Sequence, residues 1–151
     1  MKPGSVKLIR PALFFTLMAL TAILIGCGYV TGEAIKAPAS PPEIANVSPV
    51  QANDLIQANQ GITRFVILDV RTPVEYAEGH LQNAINLDFN SPSFKSEAGH
   101  LDKNFIYLVY CRTGARSAAA SKILAELGFS HIYNMTGGMI AWQAAGLPVV
   151  K

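Results

Sequence analysis

Two stretches, RFVILDV at residues 64 to 70 and FIYLVY at 105 to 110, limit the possible folds more than anything else in the chain. The second is apolar throughout, and the first is broken inside only by Asp69. A strand with one wet face alternates apolar and polar residues, whereas a strand covered on both faces reads as one apolar run. Runs of this length call for a sheet buried from both sides, and the usual solution is a mostly parallel sheet with helices on both faces.

Helix signals fall between and around these runs. SPVQ, Ser48 to Gln51, has an N-cap serine, a proline at the first helical position and a glutamine that completes a capping box, so a helix is expected to about Gln60, stopped by Gly61. TPVE, Thr72 to Glu75, repeats the pattern and predicts a short helix ended by Gly79. AINL, 84 to 87, reads as a brief strand. From Ser117 the apolar residues Ala120, Ile123, Leu124 and Leu127 recur at helical spacing up to Gly128. HIYN then predicts a last strand, and MIAWQAAG a last helix stopped by Gly146. The expected fold class is α/β, in which ligands sit at the carboxyl ends of the strands.

The N-terminus has a different character. Lys2, Lys7 and Arg10 precede a charge-free run from Pro11 to Gly32 with ALFFTLMALTAILI at its centre, the layout of an export signal with a basic and then an apolar region. The run contains LIGC, Leu24 to Cys27, which resembles the lipobox of bacterial lipoproteins. That resemblance implies cleavage before Cys27 and a lipid on its sulfur. An uncleaved signal anchor and a cleaved, released protein are the alternatives, since the run also exceeds the ~20 residues that span a bilayer. With either tether the domain is expected outside the cytoplasm, because the positive flank stays inside.

Tyr29 to about Asn46 is proline-containing with no apolar period and reads as a spacer. The organisation expected is a signal over 1–26, a linker over 27–43 beginning at lipidated Cys27, and one domain over 44–151, a monomer that folds without its tether. Half of the residues are hydrophobic and 15% are charged, much of the excess lying in the signal. Without the three basic signal residues, lysines and arginines fall from 12 to 9 against 10 acidic residues. Such a balance, with no basic patch, zinc-ligand spacing or Walker loop, gives no support to nucleic-acid or nucleotide binding.

If Cys27 carries lipid, Cys111 has no disulfide partner. It stands in YCRTGARS, 110 to 117, between an apolar strand and a helix. A thiol there faces the positive end of the helix dipole and amides with no partner inside the helix. Arg112 and Arg116 add charge, and Gly114 lets the loop curl so that its amides converge on the sulfur. All of this favours thiolate.

CRTGARS resembles the active-site loop of rhodanese sulfurtransferases. LDVRTPVEYAEGHLQNAINL, 68 to 87, is similar to the same family's Asp-x-Arg, Glu-Tyr, Gly-His and Ala-Ile-Asn segment, and TGGMIAWQAAGLPV, 136 to 149, to its closing Gly-Gly-x-x-x-Trp segment. The resemblance implies a rhodanese fold and a two-step transfer. Cys111 takes the outer sulfur of thiosulfate or a persulfide donor and hands it to a thiol or cyanide, with no cofactor or metal. It also implies a cradle built from the amides of Arg112, Thr113, Gly114, Ala115, Arg116 and Ser117.

The residues alone leave other roles open. Arg112 is either a substrate contact or a free surface arginine, and Arg116 reads as holding the loop by hydrogen bonds rather than touching substrate. Asp69 and Arg71 read as a structural pair, His80 as a turn residue, and Tyr76 and Trp142 as core or pocket wall. A persulfide carrier without turnover uses the same loop. A phosphatase or arsenate reductase of this fold group holds its oxyanion between cysteine and an arginine six positions on, whereas Arg116 is five positions on.

Overall fold

The computed structural model describes residues 43–151, which run β1 (Glu43–Val47), α1 (Pro49–Ala58), β2 (Phe65–Asp69), α2 (Pro73–Glu78), β3 (Ile85–Asn86), α3 (Phe94–Ala98), β4 (Ile106–Tyr110), α4 (Ala115–Glu126), β5 (His131–Met135) and α5 (Gly138–Ala144). The expected signal segment, Cys27 and most of the linker lie outside the described residues. One five-stranded sheet has the order β1-β5-β4-β2-β3, and every ladder in it is parallel.

The apolar run of β4 is explained by what covers it. Tyr107 and Val109 face one layer, where Phe94 and Ala98 of α3 and Ala120 and Leu124 of α4 pack with Phe129. Leu108 and Tyr110 face the other, against Ala52 of α1, Tyr76 of α2, and Met139 and Trp142 of α5. Successive strand side chains point to opposite faces, so a strand with helices on both sides must be apolar at every position. Tyr107 and Phe129 meet edge to face with centroids 5.0 Å apart.

Both anticipated capping boxes are present. The Ser48 hydroxyl accepts from Gln51 N and the Gln51 side chain from Ser48 N, and Thr72 and Glu75 repeat the exchange. The last two helices start without such a signal. Gly114 and Gly137, at φ of 95° and 73°, stand at their N-caps with no side-chain cap. As a result α4 begins at Ala115, two residues before the periodicity from Ser117 suggests.

Two elements differ from the sequence reading. Residues 43 to 46, read as the end of the spacer, belong to β1, an edge strand paired only with β5; of its residues Val47 alone is buried, so no alternation marks it. The five-residue α3 is likewise unmarked by any period, and it is held by buried Phe94 and Ala98.

The β1 ladder makes residues 43 to 47 part of the domain fold. Asn134 donates its side-chain amide to Asn46 at 2.8 Å, and Thr136 donates to the Val47 carbonyl from its amide (2.9 Å) and its hydroxyl (3.0 Å). A chain starting at residue 43 is expected to unfold in one cooperative thermal transition. One starting at residue 48 loses the ladder and these bonds, several contributions of about 1 kcal/mol each, and should melt roughly 10 °C lower by circular dichroism.

Candidate functional site

Cys111 is the first residue after β4, the middle strand, and its side chain is fully buried. The chain then turns sharply into α4, and the Gly114 amide donates to Cys111 Sγ at 3.1 Å. Burial raises the thiol pKa, but hydrogen bonds from the Ser117 amide and hydroxyl and from the Thr113 and Gly114 amides outweigh it, leaving the thiol below its ordinary value. The buried Ser117 hydroxyl also donates to the Gly114 carbonyl at 3.0 Å, so it can turn between the loop backbone and the sulfur. These hydrogen bonds favour the thiolate, the nucleophilic form of cysteine, and N–H groups converging in this way suit negative charge.

The loop is fixed from two directions. Arg116 makes a two-pronged ion pair with Glu75 of α2, at 2.8 and 2.7 Å. Glu75 also accepts from the amide and hydroxyl of Thr72, so a single carboxylate caps α2 and holds the start of α4. From the other side the first turn of α5 donates to the loop's carbonyls, Met139 N to Cys111 O at 2.9 Å and Ile140 N to Arg112 O at 3.1 Å. Gly138 makes this approach possible. Its φ is 56°, and a Cβ there would stand 2.4 Å from Cys111 O and 2.6 Å from Arg112 C.

The remaining candidates fall into place around this loop. Asp69 and Arg71 form a buried ion pair at 2.6 Å, with Arg71 also donating to the Gly79 carbonyl at 2.7 Å. They join the end of β2 to the turn after α2, a structural pair as read from the sequence. His80 stacks on Tyr76 with ring centroids 3.9 Å apart and exchanges backbone bonds with Val150, a turn residue. Trp142 is core, its indole N–H donating to Pro148 O. Arg112, Thr113 and Ala115 are exposed, and a cavity of about 240 Å³ opens beside Arg112, walled also by Arg71, Glu75, Glu78, Ile140 and Gln143. Sequence reasoning missed Glu75 as the partner of Arg116, because its capping-box position already accounted for it. It also missed Gly138, although the Gly-Gly pair before the last helix was a signal of close backbone approach.

The Glu75–Arg116 pair carries a pH signature. The Arg116 guanidinium holds Glu75 at about 2, against an ordinary 4.5, with Thr72 assisting. The unfolded chain therefore binds the proton more readily, so the stabilisation is fully present above about pH 4.5 and is lost as pH falls toward 2. Glu75→Gln, which keeps the cap, should lower stability by ~2 kcal/mol at pH 7. Urea midpoints of variant and parent should converge between pH 4.5 and 2.

A parallel α/β sheet with a buried cysteine at the carboxyl end of its middle strand, accepting hydrogen bonds from amides of its own loop, defines a cysteine-loop α/β domain. This chain belongs to the rhodanese-like domain family, whose model matches residues 48–145. A protein of Allochromatium vinosum named sulfurtransferase is 32% identical over 104 residues, covering 69% of this chain and 95% of its own. The thiosulfate sulfurtransferase PspE of Escherichia coli is 37% identical over 84 residues, covering 56% of this chain and 77% of its own. The crystal structure of a rhodanese-related protein from Thermoplasma volcanium superposes with a TM-score of 0.58 at 30% identity, over 70% of this chain and 97% of that one.

Proposed function

We propose that this protein is a sulfurtransferase that carries sulfur as a persulfide on Cys111, with thiosulfate as a donor. The observation that carries the reading is the buried Cys111 sulfur held in the amides of its own loop, with Gly114 N at 3.1 Å. In the first step the Cys111 thiolate attacks the outer sulfur of thiosulfate. A new S–S bond forms, the old one breaks, and its electron pair leaves with sulfite. In the second step an acceptor thiolate or cyanide attacks the outer sulfur of the persulfide, and the pair returns to Cys111. Splitting one transfer into two requires no metal or organic cofactor.

Negative charge stays near the loop throughout, which is what converging N–H dipoles stabilise without reorganising. The exposed Arg112 guanidinium draws the dianionic donor in. Arg116, committed to Glu75, acts by holding the loop in place. Two names among the relatives support the reading, one a sulfurtransferase and one a thiosulfate sulfurtransferase. The test is intact mass before and after thiosulfate, with peptide mapping. A gain of one sulfur at Cys111 that is lost to cyanide supports the assignment. Hydrolysis of phosphate esters or reduction of arsenate, with no sulfur adduct, would overturn it.

We further propose that the domain works outside the cytoplasm, tethered through lipid on Cys27, a reading supported by the basic and apolar segments and by LIGC. Protein extracted from membranes should then begin at Cys27 and carry acyl mass. A chain still beginning at Met1 would point to a signal anchor instead.

A further inference from the structure

The charges around the cavity beside Arg112, the residue directly after Cys111, are not all available to a ligand. Arg71 is paired with buried Asp69 at 2.6 Å, and Glu75 with Arg116 at 2.7 Å. That leaves Glu78, at the end of α2, and Arg112, directly after Cys111, and neither has an ion-pair partner among the described residues. Both are exposed and line the same space, Glu78 from α2 and Arg112 from the loop before α4, with the neutral Gln143 and the apolar Ile140 of α5 also in its wall. One unpaired carboxylate and one unpaired guanidinium suit a ligand that carries an ammonium and a carboxylate.

We propose that this cavity is the acceptor subsite and that it selects small zwitterionic thiols of the cysteine type, Glu78 receiving the ammonium and Arg112 the carboxylate. The proposal rests on the sulfurtransferase reading above. Once sulfite has left, Arg112 is available to the acceptor. The acceptor thiolate then attacks the outer sulfur of the Cys111 persulfide, which stands about 2 Å beyond Sγ. The S–S bond to Cys111 breaks, its electron pair returns to Cys111 as thiolate, and the acceptor leaves as a persulfide with any proton on the outer sulfur travelling with it. Apart from the loaded sulfur and the acceptor no reactant is needed.

The test uses the full-length chain, loaded with thiosulfate or inorganic polysulfide, the adduct being assigned to Cys111 by peptide mass. Single-turnover transfer at low acceptor concentration is then followed to cysteine, to cysteamine, which lacks the carboxylate, and to 3-mercaptopropionate, which lacks the ammonium. Each thiol is compared with itself across variants, so intrinsic thiol reactivity cancels. Glu78→Gln should slow transfer to cysteine and cysteamine about fivefold and leave 3-mercaptopropionate unchanged or faster, the size expected for one partly exposed ion pair. Arg112→Ala should slow cysteine and 3-mercaptopropionate by a similar factor and spare cysteamine. An equal change with all three thiols in either variant, or no change with any, would overturn the subsite. Failure of the sulfurtransferase reading is distinguishable, because it would appear at the loading stage as no sulfur on Cys111 from either donor.

Discussion

Cys111→Ser is expected to abolish sulfur transfer, with a loss of roughly 10⁴-fold or more, the scale seen when a nucleophile is removed. Serine retains the position after β4 and nearly the same volume, so the fold should survive. What it cannot supply is an ionised nucleophile, since an alcohol titrates far above a thiol. The three loop amides and Ser117 hydroxyl that lower the Cys111 pKa would still converge on the site, but with no thiolate there to stabilise. Steady-state transfer from thiosulfate to cyanide measures the loss, and intact mass should show no sulfur on residue 111. A thermal midpoint within a few degrees of the parent would show that chemistry and not folding was removed. An undiminished rate would mean that the sulfur passes elsewhere.

Gly138→Ala tests the other half of the construction, the support beneath the loop. The new Cβ would meet backbone atoms, 2.4 Å from Cys111 O, 2.6 Å from Arg112 C and 2.7 Å from Arg112 O, and backbone cannot swing aside as a flexible side chain does. The residue also sits at φ of 56°, which L side chains rarely adopt. Either the loop or α5 must retreat by something like 1 Å, a displacement that costs about 100-fold when it moves a reacting group. The Met139 and Ile140 amides would lose their hold on the Cys111 and Arg112 carbonyls in the same movement. Transfer should therefore fall by about 100-fold and stability by ~1–3 kcal/mol, read from kcat/KM and urea midpoints. Loss of stability with unchanged transfer would mean that α5 retreats and the loop does not depend on it. As a comparison, Gly61→Ala faces no atom within 4 Å and carries only the strain of its φ of 77°, so transfer should be spared.

Much of this protein is written in short stretches of its sequence. The unbroken apolar run of FIYLVY implies cover on both faces, and α3 and α4 on one side with α1, α2 and α5 on the other provide it. SPVQ and TPVE mark helix starts because the capping groups lie within three residues of one another. The cysteine loop was legible for the same reason, its sulfur and the Gly114 amide being three residues apart. Interactions of this range are decided by local geometry, which residue order determines directly. The tertiary structure alone decided the rest. Strand β1 exists because β5 lies beside it, with Asn46 bonded to a residue 88 positions away. Glu75 reads as a cap until the sheet brings Arg116, 41 positions on, against it. Gly138 is only one of two glycines ahead of the last helix until α5 docks on the carbonyls of Cys111 and Arg112. In each case the partner is set by where the layers place two distant segments, and no spacing along the chain records that distance.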